Sequence, residues 1–383
     1  VDFPLTPSLN WSFPMSVSSP ARPTVVVVGG GYGGVNVAKS LDDAADVVLV
    51  EPKDAFVHNV AALRALADPS WLPRIYMPYG GLLANGRVVR DRAAKVEPGR
   101  VTLGSGEEID ADYIVLATGS QYPFPAKSDV DETAVAHDKV RAANAALTAA
   151  PRVLLVGAGS VGIELAGEIM AAWPDKHVTL LDAGDDVMGG GFSPELRAEL
   201  RRQLTGAGVE LALSSPLRQG PPTAPGELGE FTVQTEQGRE ITADIWFRCY
   251  GVSPVSDYLA GELAAARGAD GFIAVTPHLR VPGQDRVFAL GDVADADRKM
   301  AGIAGRQAEV VVANIRALIS GEANLAAYEP AFLGILVPIG PAGGSGQFPG
   351  STELVTPEAA AQIKGRDMFV DRYAEVLGVA AGE

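Results

Sequence analysis

Two glycine-rich strings carry the clearest chemistry in this 383-residue chain: Gly29-Gly-Gly31-Tyr32-Gly33-Gly34 and Gly157-Ala-Gly159-Ser160-Val161-Gly162. Each follows an apolar run (Val25 to Val28, Val153 to Val156), opens a helical pattern, and is followed by an acid closing the next apolar run, Glu51 and Asp182. In such a loop the first glycine permits a tight turn, the second lets backbone approach a pyrophosphate, and the third lets helix pack on strand. The helix N-terminus then offers unpaired N–H groups to the anion, and the acid accepts from an adenosine ribose. Two such sites make chemical sense when they hold different molecules, because a nicotinamide passes hydride to an acceptor such as a flavin. A third mark, Gly291-Asp292 after Val287-Phe-Ala-Leu, suits a ribityl hydroxyl and assigns the first copy to FAD, with a simple helix cap as the lesser alternative for Asp292. The helical stretch from Met300 to Ile319, with Met300 and Ala301 at its start, would aim its N-terminus at the flavin.

The elements that must position these residues come as an internal repeat. Glu108-Ile-Asp-Ala-Asp-Tyr-Ile-Val-Leu-Ala117-Thr118-Gly119 lines up with Glu240-Ile-Thr-Ala-Asp-Ile-Trp-Phe-Arg-Cys-Tyr-Gly251, and Gly29 to Gly119 and Gly157 to Gly251 span 90 and 94 residues. The continuous apolar runs suit parallel strands covered on both faces, with helices as crossovers. The expected fold is therefore α/β: two Rossmann-like dinucleotide-binding domains, the second inserted in the first, plus a small C-terminal α+β domain. Expected boundaries are an N-terminal extension at 1–21, an FAD-binding domain at 22–127 and 270–320, an NAD(H)-binding domain at 128–269, and a tail domain at 321–383. Within the tail, Gly334 to Gly350 reads as the loop-rich part, Phe332, Leu333, Ile335, Leu336, Val337 and Ile339 as a short apolar run suited to core or interface rather than to a membrane anchor, and Met368, Phe369, Tyr373, Val376 and Leu377 as a helical stripe. That stripe could close over a substrate or simply pack the domain.

Composition excludes several alternatives. A formal charge of -16 repels nucleic acid and anionic membranes, so no nucleic-acid partner is expected. The single cysteine, Cys249, rules out a disulfide relay or an all-cysteine metal site and reads as a small core hydrophobe; no metal is expected. No apolar run approaches the roughly 18 residues of a spanning helix, and the start lacks a signal-peptide layout, so the expected compartment is the cytoplasm. Met15 reads as a natural start, followed by Ser16 rather than the Gly of a myristoylation signal. Any membrane contact is expected to be peripheral, at the inner face. The acid at Asp182 disfavours a 2′-phosphate, and Arg197, Arg201 and Arg202 come too late to be its usual partner, so NADH is expected over NADPH.

Three further strings narrow the reading: Asp54-Ala-Phe-Val-His58-Asn59-Val-Ala-Ala-Leu-Arg-Ala, Thr118-Gly-Ser-Gln-Tyr-Pro-Phe-Pro-Ala-Lys127 and Lys364-Gly-Arg-Asp-Met-Phe-Val370. They resemble the apoptosis-inducing-factor-like NAD(P)H:quinone oxidoreductases of the ferroptosis suppressor type, over about residues 24 to 375, and more distantly the type II NADH dehydrogenases. The resemblance implies FAD, a nicotinamide dinucleotide and a quinone acceptor. It implies that Glu164 lies near the nicotinamide and flavin rings, that Lys364 beside the flavin helps protonate the acceptor, and that His58 and Asn59 line the flavin, with His58 as a proton donor. Without it, Glu164 reads as a first-turn acid favouring the helix dipole, Lys364 as a surface lysine and His58 as a hydrogen-bonded structural residue. The other residues assigned to FAD are Lys53, Ala117, Thr118 and Gly119; Gly251 is assigned to NAD. Tyr250 stands where the family pattern has Thr. A ferredoxin or rubredoxin reductase is the nearest rival enzyme, and a redox-sensing flavin-binding protein the rival of another class.

Overall fold

The computed structural model describes residues 22–330, 334–349, 351 and 353–379. The expected extension at 1–21, and Phe332 and Leu333 of the apolar run, lie outside the described residues.

Each apolar run becomes a strand because β-branched residues with no polar face can be buried on both sides of a sheet. In chain order, β1 (Thr24–Val28) leads into helix α1 (Tyr32–Leu41), then β2 (Asp46–Val50), the short helix α2 (Ala62–Ala67), β3 (Arg87–Val89) and β4 (Tyr113–Leu116). Helix α3 (Thr133–Ala149) connects to the second copy: β5 (Arg152–Val156), α4 (Ser160–Ala172), β6 (His177–Leu181), α5 (Pro194–Gly206), β7 (Glu210–Ala212) and β8 (Ile245–Arg248). The chain then returns as β9 (Val287–Ala289) and helix α6 (Ala301–Ile319).

The first sheet has the order β9-β4-β1-β2-β3 and the second β7-β6-β5-β8, all parallel. Val26 pairs with Val48 and Ile114 in the first sheet, as Leu154 pairs with Thr179 and Trp246 in the second. Strand β9 registers Val287 against Ile114, so the returning chain completes the first sheet as the sequence pattern requires.

The tail departs from expectation in two places. Residues 334–349 contain two antiparallel strands, β10 (Ile335–Ile339) and β11 (Gly343–Gln347), and β12 (Leu354–Val355) pairs with β11. Strand β11 reads GGSGQ and was illegible as strand, yet small residues are what the packing needs: a Cβ on Gly346 would meet the Ile335 carbonyl oxygen at 2.3 Å. The helical stripe also breaks. A π-helical turn (Ala361–Gly365) precedes Met368 and Phe369, both left-handed at φ 53° and 61°, and helix α7 (Val370–Leu377) starts only after them. The tail bridges the molecule, since Val337 and Ile339 join the core around the second sheet while Val370, Tyr373 and Leu377 join that around the first.

Candidate functional site

The two glycine loops are built alike to atomic detail. A Cβ on Gly34 would lie 1.8 Å from the Gly29 carbonyl oxygen and one on Gly162 lies 1.9 Å from that of Gly157, so helix and loop pack too closely for any side chain. The middle glycines, Gly31 and Gly159, have open space on the Cβ side. Glu51 accepts from Gly30 N (2.7 Å) and Lys53 N (3.0 Å). Asp182 accepts from Ala158 N (2.6 Å) and Gly184 N (2.7 Å), the equivalent positions of its own copy. Each carboxylate is thereby pinned beside its loop, at the carboxyl ends of the strands where open α/β sheets bind ligands.

Both loops open on one cleft of about 1560 Å³, larger than the pocket of a single drug-sized ligand. Gly29, Gly31, Tyr32 and Gly33 line it from the first loop and Gly159, Ser160 and Val161 from the second. Glu51, Lys53, Asn59, Ala117, Thr118 and Gly119 line the first side, and Gly251 the second. Gly34, Gly157 and Gly162 are packing positions outside the lining, and Asp182 is also outside it, bonded to Ala158 N next to the lining residue Gly159. Gly291, Asp292, Met300 and Ala301 close the first side, with Met300 capping α6. Asp292 accepts from Ser120 Oγ (2.6 Å) and Lys127 Nζ (2.9 Å). Burial would raise its carboxyl, but Lys127 and Ser120 outweigh that and hold it below the ordinary carboxylate range. It is therefore a fixed, ionised acceptor rather than only a cap.

Glu164 and Lys364 meet in the same cleft, with Lys364 Nζ donating to Glu164 Oε1 at 2.9 Å and lying 3.3 Å from the Leu336 carbonyl. Glu164 sits on the second turn of α4, not the first, so it faces the tail rather than the helix dipole. Burial raises its carboxyl, and Lys364 offsets this only in part. Lys364 is one-eighth exposed (12%), not a surface lysine, because the π turn carries it inward. Such turns are frequent at functional sites. One helical turn beyond Glu164, Glu168 takes a two-pronged ion pair from Arg64 of α2, whose Nη2 also donates to the Gly365 carbonyl at 2.8 Å. Sequence reasoning missed Arg64 and Glu168, although two acids four apart in the apolar helix SVGIELAGEIMAA were a usable signal.

His58 does not line the cleft. It is fully buried, with Nε2 2.7 Å from the Met368 carbonyl and Nδ1 3.3 Å from the Tyr32 hydroxyl, which itself accepts from Val60 N. Burial lowers its pKa to about 4, and the neutral imidazole ties two segments together away from the cleft wall where a proton donor was expected. Its neighbour Asn59 does face the cleft, and among the described residues its buried Oδ1 has no hydrogen-bond partner. Cys249 packs in the second core with its thiol pushed up to about 12 by burial, and Tyr250 stacks under the Arg248 guanidinium (4.6 Å) at the cleft rim. Among the described residues no cluster of three or more His, Cys, Asp or Glu could hold a metal, and no helix is long and apolar enough to cross a membrane.

Comparison with known proteins bears on this geometry. The family model described as pyridine nucleotide-disulphide oxidoreductase matches residues 23–314. Ferroptosis suppressor protein 1 of Taeniopygia guttata is 34% identical over 371 residues, covering 92% of this chain and 95% of that one. The Homo sapiens protein of that name is 33% identical over 357 residues, covering 90% and 93%. Among solved structures, the sulfide:quinone oxidoreductase of Aquifex aeolicus superposes with a TM-score of 0.74 at 17% identity, over 93% of this chain and 91% of that one, a likeness of fold.

Proposed function

The chain belongs to the pyridine nucleotide-disulphide oxidoreductase family as a ferroptosis-suppressor-like FAD-dependent oxidoreductase without a redox disulfide, and on that premise we propose that it is an NADH:quinone oxidoreductase. The residues fit the cofactor: the open face of Gly31, the unpaired Asn59 Oδ1 and the ionised Asp292 offer space, a hydrogen-bond acceptor and a fixed charge along one side of the cleft. Bound there, FAD would take two electrons as hydride from the nicotinamide and return them to the acceptor.

In this reading Gly29 to Gly34 and the start of α1 hold the FAD pyrophosphate, Glu51 its adenosine ribose and Asp292 a ribityl hydroxyl. Lys53, Asn59, Ala117 to Gly119, Met300 and Ala301 complete that side. Gly157 to Gly162, Gly251 and Asp182 take NADH. Arg201 pairs with Asp186 and Arg202 with Glu199, so each already has an acidic partner. Arg197 is the remaining cation of α5, so the test is direct. Wild type should prefer NADH, and Asp182→Ser should narrow the NADH-to-NADPH ratio of kcat/KM about tenfold or more by removing a like charge. An unchanged ratio removes the assignment of Asp182.

The observation that carries the acceptor half is the Lys364–Glu164 pair, set in the cleft between the two loops beside Ile335, Leu336, Phe348 and Phe369. A flat, apolar acceptor with two carbonyl oxygens suits those walls. Lys364 Nζ would donate to one oxygen as charge develops there, and Glu164 keeps the ammonium oriented and resupplied. The reaction balances as NADH, one proton and quinone giving NAD⁺ and hydroquinone. Stopped-flow absorbance separates the halves. Lys364→Met should slow reoxidation of the reduced protein by a benzoquinone about 10²-fold, within the range for loss of a positioned proton donor, while leaving reduction by NADH within about threefold. Equal reoxidation in the two proteins would refute this role, and faster reoxidation by ferredoxin than by any quinone would refute the acceptor class.

A further inference from the structure

Glu164 and Glu168 lie one turn apart on the same face of α4, an arrangement of like charges that opposes itself unless each acid is balanced. Each is balanced from a different part of the chain: Lys364 of the π turn on Glu164, Arg64 of α2 on Glu168. Arg64 does more than neutralise. Its guanidinium stacks over Trp71 (5.1 Å to the ring centroid), and one nitrogen is shared between the Glu168 carboxylate (2.7 Å) and the carbonyl of Gly365, the residue that follows Lys364. Arg64 and Glu168 are 6% and 3% exposed and are not among the residues that line the cleft, so direct contact with a cofactor does not account for them. A buried ion pair is poor value as a stabiliser when an apolar pair of similar volume does as well.

We propose that Arg64 and Glu168 are positioning residues for the acceptor half-reaction: the Arg64 fork clamps the turn that presents Lys364, and the pair sets the electrostatic balance around Glu164. This rests on the role of Lys364 and Glu164 given above. The charged groups facing Glu164 are Lys364, Arg64 and, along its own helix, Glu168. Strand β10, packed on the same helix, carries no ionisable side chain, and α5, β5 with its Arg152, and β6 contribute no electrostatic contact to it.

Two variants then move one titration in opposite directions. Arg64→Gln removes a cation, so Glu164 should titrate at higher pH than in wild type; Glu168→Gln removes a like charge and leaves Arg64 in place, so it should titrate lower. Carboxyl ¹³C shifts of labelled glutamate in the holoprotein read this without turnover, and the pH profile of quinone reoxidation should shift in the same directions. Arg64→Gln should also slow reoxidation roughly tenfold to a hundredfold by loosening the turn. Arg64→Lys should restore the titration but not the rate, since an ammonium lacks the second nitrogen that completes the two-pronged hold on Glu168 and the planar face that stacks over Trp71. Melting curves check that each variant is folded. If both glutamine variants lower the melting temperature yet leave the Glu164 titration where it was, the pair is merely structural and the proposal falls. If Lys364→Met itself leaves reoxidation unchanged, the parent reading falls instead.

Discussion

The imidazole of His58 sits where a proton is costly. Burial lowers its pKa from 6.5 to about 4, so the unfolded chain binds a proton that the folded one refuses between those values. Stability contributed by the neutral ring is therefore present above about pH 6.5 and lost as pH falls toward 4. The expected outcome is an unfolding midpoint that drops through this window in wild type and drops less in His58→Gln, read by urea denaturation at a series of pH values. A pH dependence of equal slope in the variant would show that other groups carry it. A hydrogen-bonded structural His58 was the reading its residue type alone offered, but its partner was not legible, because the Met368 carbonyl lies 310 residues away. Lys364 and Glu164 were legible only by resemblance, for the same reason: what makes them a pair is a contact across 200 residues. By contrast Glu51 and Asp182 were readable directly, since the N–H groups they hold belong to the loop and turn that the motif itself specifies.

At the scale of elements, the two sheets were legible because their signal is local and repeated: an apolar run, a glycine loop and an acid at matched distances. The tail was not, because strand β11 is made of glycine and serine and owes its existence to what it packs against rather than to its own propensity. Another such approach joins helix α4 to the turn after β10. A Cβ on Gly167 would meet the Gly340 amide nitrogen at 2.5 Å and the Ile339 Cα at 2.6 Å, both backbone atoms with little room to yield. Gly167→Ala should therefore destabilise by about 1–3 kcal/mol, as overpacking does, and lower the melting temperature by several degrees. Because the displaced strand precedes the residues around Lys364, reoxidation by quinone should suffer more than reduction by NADH in the same stopped-flow comparison. Equal loss in both halves would mean that the tail strand does not position the pair.

For the whole molecule, the first sheet, the returning segment at 287–302 and the tail converge on one cleft, so a ligand there binds the folded chain and not the unfolded one. The protein stripped of FAD should melt lower than the holoprotein, and added FAD should recover the difference with the logarithm of its concentration, about 2.7 kcal/mol at a hundredfold excess over Kd. Calorimetry at several FAD concentrations checks this; a midpoint independent of FAD would mean that the folded chain does not bind it in preference to the unfolded one. The position of β9 at the edge of the first sheet has a further consequence, in the order of synthesis. While residues 117–286 leave the ribosome, β4 has no neighbour on its outer side, whereas every strand of the second sheet follows from 152 to 248 without interruption. The later-encoded unit can thus finish first, and the nascent chain carries an open strand edge until residue 289 emerges, a hazard that chaperones answer by covering exposed edges during translation.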